Sequence, residues 1–585
     1  MPAIFSRLTG LPDELQVRIL SELDPPSILA CREASPELKE TIDNSIEVNY
    51  QLELALSGMI DGPRPSNSAC TRDRLAALRA YRAAYDAGKH PTRGVLIDVS
   101  KQEVHARSAR HLVYHASNPN RRGPRRLTVY RPPASFCGIE EQKLHFEGVQ
   151  ELGDDYPVQG TCYVDVQEDL LAYMWRLSSD YPFEYRCRLQ LLSGRHCEPH
   201  PAATQSIVDL NPLTIGESRY DGWPSISGFD DLIVFRFNHR DSFSYWESRD
   251  TVIVLNWKTG VTVWYMDLKR SQIVTLLSCR LLAVIDYHTR HPAIHLFSFD
   301  PCAPSGAAPS ILHHCTCSLA LPIRGVDPRF KLELTPPRRD DDIARRPSYH
   351  SAAPGHNTSN APLFQRDPSL TPLVVRFMGG ISVLKREYWL IVPPDTLSKW
   401  YQEKSKQRKI PWEQWGPQGT RMICLPEPEY PWPGQDTVWV DVYGSCVGVF
   451  ERKSTKHVVK IYEVHPYASL RPPPPPPPPP GDAAKAKAPR KPLWIPAENK
   501  VRGPKVVLKR PPVNFEDPLW TSYPVRKTIR VVPHHLYALY GGSLPRQMAM
   551  GHDDLVVFQY KPGGSHHYDQ DDRLLYTTIV AASTV

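Results

Sequence analysis

His313-His314-Cys315-Thr316-Cys317 places four potential metal ligands in one short run. If the run is extended, alternate side chains share a face, which puts His313, Cys315 and Cys317 together and His314 opposite. Tetrahedral zinc needs a fourth ligand, and no Cys-x-x-Cys pair supplies one. The run reads better as an edge strand leading into Leu319-Ala320-Leu321-Pro322. No Gly-x-Ser-x-Gly elbow, Gly-x-x-x-x-Gly-Lys phosphate loop or His-Glu-x-x-His helix occurs. His552-Asp553-Asp554 reads as a hairpin tip, because Asp tolerates turn geometry. Trp412, Trp415 and Trp432 are candidates for a recognition surface, but aromatic residues more often seal contacts between packed sheets. The expectation is a non-catalytic protein with no catalytic residues, no metal site and no cofactor.

The elements that position side chains follow from composition and punctuation. The chain has 585 residues, 41% of them hydrophobic, and 60 prolines, about double the usual frequency. Such a content disfavours long helices and favours loops and β-turns. The net charge of +7 owes much to one Lys/Arg-rich tract after residue 484. A solvated surface accounts for that excess, so nucleic acid is not expected as a partner. The 12 cysteines lack the density and spacing of a disulfide scaffold. No secretory leader and no apolar run of the ~20 residues needed to span a membrane is seen. The reading is an intracellular protein, cytoplasmic and/or nuclear, with reduced thiols and no membrane partner.

Residues 8–44 read as three short helices. Pro12 opens the first, in which Leu15, Ile19 and Leu23 recur every four residues and Leu20 widens the face. Asp24-Pro25-Pro26 stops it, and a second helix runs over 27–34 with Ile28, Leu29 and Cys31. Ser35-Pro36-Glu37 supplies an N-cap, a first-turn proline and an acidic residue for a third, whose buried side is Leu38 and Ile42. A unit of this size cannot hide all of these apolar residues, and the surplus points to a protein interface. Residues 45–90 form a helical linker. One helix runs over 45–57, buries Ile46, Leu52, Ala55 and Leu56 and stops at Gly58. Another runs over 71–87 with Leu75, Leu78, Arg82 and Tyr85 on one face.

From residue 91 to 585 the pattern changes to short β-branched and aromatic runs separated by turns. Segments 162–173, 225–235, 274–284, 439–449 and 547–557 share one form, a strand, a tight turn and a second strand. Third strands follow at 252–260, 293–300 and 458–464, and 261–264 continues the first of these. Repeated small antiparallel sheets predict a propeller-like domain; the competing readings are a large β-sandwich or two β domains. Segments 334–367 and 468–512, the latter with nine consecutive prolines at 472–480, read as disordered inserts that bury too little apolar area to order themselves. The polyproline run reads as a stiff surface loop, with docking on an aromatic groove as the alternative. The fold class is α+β, with an N-terminal helical part and a large all-β domain.

Leu11-Pro12-x-Glu14-Leu15, Ile19-Leu20-x-x-Leu23-Asp24-Pro25, Ile28-Leu29-x-Cys31-Arg32, then Leu38 and Ile42-Asp43, resemble an F-box motif from end to end. Ala34 and Leu38 depart from it, standing where a bulkier aliphatic and a large aromatic are usual. The resemblance implies docking on a Skp-type adaptor and, through it, a cullin scaffold. Leu11, Pro12, Leu15, Ile19, Leu20, Leu23, Ile28 and Leu29 are the implied contact residues. The layout of an F-box, two helices and a degenerate β-repeat region resembles F-box proteins of the mushroom-forming fungi. What it implies is a substrate-recognition subunit of a ubiquitin ligase, with an unknown protein target on the β domain. The alternatives are an adaptor-bound scaffold without a ligase role, or a β-repeat enzyme or metal protein with an incidental helical cap.

Overall fold

The computed structural model describes residues 8–62 and 69–87 and, between residues 96 and 579, the strands, helices and short turns given below. Helix α1 (Asp13–Ser21) starts behind Pro12 with Asp13 and Glu14 in its first turn, where acidic groups complement the helix dipole. It ends as Glu22 and Leu23 bond back to the carbonyls of Ile19 and Leu20. Helix α2 (Pro25–Ala34) corrects the sequence reading. Pro25 and Pro26 are its own first turn rather than a stop for α1, because a first turn needs no backbone donor and Asp24 caps it by accepting from Ser27 N at 2.9 Å. Helices α3 (Pro36–Asn44) and α4 (Ile46–Leu56) are each capped by a serine, Ser35 accepting from Leu38 N and Ser45 from Val48 N. Asn49 Nδ2 donates to Ile42 O at 2.8 Å and Ser45 O at 2.9 Å, which clamps the corner between α3 and α4.

Leu20, Ile28, Ile42, Val48, Leu52 and Leu56 make one core under these helices. In α4 the buried residues are Val48, Tyr50, Leu52, Leu54 and Leu56, where the sequence pattern pointed to Ile46, Leu52, Ala55 and Leu56. The difference arises because α4 is enclosed on more than one side, by α1–α3, by α5 (Thr71–Ala87) and by the strand Met59–Asp61. Gly58 ends α4 at φ +61°, and a Cβ there would lie 2.5 Å from Ser445 Oγ, so the helix terminus closes directly on the β region.

Among the described residues, seven sheets of four or five strands follow. The first holds Gln102–Arg107, Leu112–Ala116, Arg125–Arg131 and Gln142–Val149; the second Gly160–Asp165, Leu170–Leu177, Arg186–Ser193 and Ile207–Leu210. The third holds Ser225–Phe229, Leu232–Arg240, Arg249–Asn256 and Val261–Lys269, with Arg219–Tyr220 beside it. The fourth holds Gln272–Ser278, Leu281–Asp286, Ala293–Ser298 and Cys317–Ala320; the fifth Lys331–Thr335, Leu373–Met378, Glu387–Val392 and Arg421–Cys424. The sixth holds Val438–Tyr443, Cys446–Lys453, Lys456–Glu463, Arg526–Val532 and Trp494–Ile495. The seventh joins Pro545–Met550, Leu555–Lys561 and Arg573–Ile579 to Leu96–Val99, which lies at the start of the β region. The five strand-turn-strand segments singled out in the sequence are the opening hairpins of sheets two, three, four, six and seven. Asp169, Asp230 and Gly444 take the left-handed conformation in three of those turns.

Consecutive sheets from the second to the sixth pack face to face. Ile233, Phe235 and Phe237 meet the second sheet, while Leu232, Val252 and Val254 on the opposite face meet the fourth. Burial on both faces is why these strands read as continuous apolar runs. The core between sheets four and five takes in α6 (Pro394–Glu403) and α7 (Trp412–Gly419), and the parallel strand Lys409–Ile410 between those helices extends sheet four. Trp412 and Trp415 seal this core edge to face at 5.1 Å, with Trp415 Nε1 donating to Ala320 O at 2.8 Å; Trp432 lies outside the described residues.

Part of the segment assigned to the first insert is a buried strand. Phe364–Arg366 pairs antiparallel with Met59–Asp61, and Gly62 N and Asp367 N extend the pairing to Leu363 O and Gly58 O. The segment is polar enough to read as disordered because its order depends on a partner strand some 300 residues away in sequence. Trp494–Ile495, inside the second insert, likewise pairs with Arg526–Val532. Leu334 and Thr335 end the strand Lys331–Thr335, while 336–362 of the first insert and 471–493 and 496–512 of the second lie outside the described residues.

Candidate docking surface on the first helix

The eight residues implied as adaptor contacts fall into three environments. Leu20 and Ile28 are 0% and 1% exposed and belong to the core of the helical unit. Leu11, Leu23 and Leu29 are half-buried. Pro12, Leu15 and Ile19 face outward, with Leu15 and Ile19 at 46% and 40% exposure. Leu15 and Ile19 stand one turn apart, so they form one continuous apolar strip with Pro12 at its N-terminal end. The apolar stripe of α1 thus points to solvent, and its buried line is Gln16 and Leu20, with Val17 packed beside them.

Gln16 explains how an amphipathic helix is held this way round. It is 4% exposed, its Nε2 donates to Leu11 O at 2.8 Å, and its Oε1 accepts from Thr41 Oγ1 on α3 at 3.2 Å. A buried amide with both ends satisfied fixes rotation about the helix axis, since turning α1 to hide Leu15 would strand it. Removing the exposed parts of Leu15 and Ile19 from water would contribute roughly 2–4 kcal/mol to association. Of the two departures from the F-box pattern, Ala34 is exposed and Leu38 is fully buried.

Electrostatics here serve the caps. Hydrogen bonds from Ser27 hold the Asp24 carboxyl below its ordinary value of 3.8, and the Ser35 hydroxyl does the same for Glu37. A depressed carboxyl contributes stability that is complete above its unfolded pKa and is lost as pH falls through the folded one. Helical signal is therefore expected to fade below pH 3.8 in α2 and below pH 4.5 in α3, and Asp24→Asn should flatten the dependence of α2 when followed by NMR shifts of Ser27 and Ile28.

The metal candidate disperses. Cys315 and Cys317 do not share a face. Cys317 enters the core between sheets four and five, whereas Cys315 packs on the opposite side, with Sγ 3.3 Å from Ser318 Oγ and 3.8 Å from His295 Nδ1. Burial raises both thiols, Cys317 to about 11, so both are protonated at neutral pH. His313, His314 and His552-Asp553-Asp554 lie outside the described residues, among which no group of three or more His, Cys, Asp or Glu is placed to hold a metal ion. Among the described residues, no helix is long and apolar enough to cross a membrane.

Sequence reasoning missed the groups that seat the helical unit on the β region. Arg74, 1% exposed, donates to Asp61 Oδ1 at 2.6 Å and to Gly62 O and Leu363 O; Tyr50 donates to the same carboxylate at 2.7 Å. Burial, and next Asp61, push the Tyr50 phenol up, so it stays a donor. Arg82 meets Glu463 with both side chains buried, and Arg366 donates to Ser57 O and Tyr81 Oη. The one visible signal was Arg82 on an otherwise apolar helix face.

Comparison with known proteins gives three findings. A search of curated proteins finds no match. Among solved structures, an acylaminoacyl peptidase of Pyrococcus horikoshii aligns at 8% identity and TM-score 0.29, over 63% of this chain and 44% of that one. The WD40 domain of SCAP from fission yeast aligns at 9% identity and TM-score 0.28, over 84% of this chain and 98% of that one. The F-box domain family matches residues 8–48, which span α1 to α3 and the first turn of α4. With its three short helices, two of them side-chain capped, and its outward apolar strip, this stretch is an F-box domain, and the chain is an F-box domain-containing protein.

Proposed function

We propose that the chain is the target-recognition subunit of a Skp/cullin-type ubiquitin ligase, acting in the cytoplasm or nucleus. F-box domains bind Skp1-type adaptors in such ligases and are non-catalytic. The observation that carries the reading is the outward strip Pro12, Leu15 and Ile19 on an F-box whose core is closed on its other side by α4 and Tyr467. Leu11, Leu23 and Leu29 are half-buried, the last two against the core to which Leu20 and Ile28 belong.

In this reading the β region presents the target, and ubiquitin transfer is accelerated by nearness alone. Holding a lysine-bearing protein beside a charged conjugating enzyme raises effective concentration without any acid or base on this chain. We further propose that the seven sheets close into a propeller. Support comes from the seventh sheet, which takes Leu96–Val99 from the start of the region, and from opening strands that lie side by side in sheets one, two and three and in five, six and seven.

The direct test is binding of the full-length chain to a purified Skp-type adaptor, followed by cullin-dependent ubiquitin transfer in a reconstituted ligase. Adaptor binding without transfer to any co-purifying protein would favour the scaffold reading. Absence of adaptor binding would sink the proposal.

A further inference from the structure

Two residues adjacent on α5 reach two different sheets. Tyr81 Oη accepts from Arg366 Nη2 at 3.0 Å, and Arg366 lies on the strand that connects the first two strands of sheet five. The next residue, Arg82, sends Nη1 to Glu463 Oε1 at 3.0 Å and Nη2 to Oε2 at 3.5 Å, at the end of the third strand of sheet six. These side chains are 4% and 1% exposed. The hairpin turn of sheet six closes on the same place, where a Cβ on Gly444 would lie 2.4 Å from Arg366 Cβ.

A buried ion pair is weak evidence of stability, because apolar residues of similar volume often serve as well. What a two-point guanidinium–carboxylate contact adds is direction, since the planar fork accepts one relative orientation where an apolar contact tolerates sliding. From this geometry we infer that Arg82 and Glu463 are positioning residues: they set the angle between the F-box and the β region, and so decide which lysines the ligase reaches. The inference rests on the ligase reading above for its consequence, but not for the lock itself.

The experiment uses full-length protein labelled at two exposed sites, Arg18 on α1 and Ser227 on sheet three, through unnatural amino acids. Distance distributions are compared for wild type, Arg82→Lys and the apolar pair Arg82→Met with Glu463→Met. The same proteins are assayed in the reconstituted ligase, with modified lysines of the β region mapped by mass spectrometry. Wild type should give one narrow distance and a small set of modified lysines. The Met pair should keep its fold and adaptor affinity, broaden the distance, scatter the modified lysines and slow transfer at the preferred ones by about fivefold or more. Arg82→Lys, which keeps charge but not the fork, should fall between. A Met pair with unchanged distance width and unchanged lysine pattern overturns the inference. Failure of wild type to bind adaptor would remove the ligase reading, while the distances would still judge the lock.

Discussion

Changing Leu15 and Ile19 together to aspartate in the full-length chain is expected to weaken adaptor binding by about 100-fold or more without altering thermal unfolding. Burying two such side chains contributes several kcal/mol, and placing carboxylates against an apolar groove adds a desolvation cost. A loss of about 2.7 kcal/mol already corresponds to 100-fold. Stability should hold because both positions are at least 40% exposed and neither belongs to the core of the helical unit. Leu20→Ala provides the contrast. It removes a fully buried side chain, so it should cost about 2–5 kcal/mol of fold stability and weaken binding only as far as the unit unfolds. Calorimetric titration and circular dichroism on the same samples separate the two. Adaptor affinity within a few-fold of wild type for the double aspartate protein would refute the docking surface.

The second large effect is expected at Arg74. Replacing it by alanine should cost about 3–5 kcal/mol, because its guanidinium is buried and its loss strips partners from Asp61, Gly62 O and Leu363 O at once. Tyr50 still donates to Asp61, which is 31% exposed, and that limits the damage at the carboxylate. Arg79 on the same helix is the control. Its pair with Glu53 spans 3.6 Å with the guanidinium more than half exposed, so Arg79→Ala should change stability by less than about 1 kcal/mol. Hydrogen exchange at Met59–Asp61 and Phe364–Arg366 reads the difference locally: fast exchange in both strands is expected for Arg74→Ala and not for Arg79→Ala. Equal protection in the two variants would show that the paired strands hold without Arg74.

These two sites also mark what was readable from residue types alone. The helices of the F-box were visible because capping serines and first-turn prolines act locally, as did Leu38 and Ile42 on the buried side of α3. Periodicity located the stripe Leu15–Ile19 but not the direction it faces, since an apolar stripe looks alike whether it meets a core or a partner. Gln16 decides that direction through Thr41, a contact absent from any periodic pattern. Five opening hairpins were legible from alternating strands and turn residues. The fifth sheet was hidden because 336–372 separate its first two strands, and Arg74 and Arg82 were opaque because their partners lie hundreds of residues away.

The usual device for trapping targets, deletion of the F-box and its linker, is poorly suited to this chain. It would uncover Phe364 and take the Arg82 guanidinium from Glu463, so the double aspartate variant is the cleaner reagent.

The pairing of Met59–Asp61 with Phe364–Arg366 also sets an order of assembly on the ribosome. The F-box emerges first, yet the strand that seats its linker is made some 300 residues later, and Glu463 later still. At about 5–20 residues per second, the helical unit waits tens of seconds before it can be seated. A chain truncated before residue 364 carries an F-box whose linker lacks its partner strand and the contacts of Arg366 and Glu463. Seating of the F-box linker thus reports that translation has passed the middle of the β region.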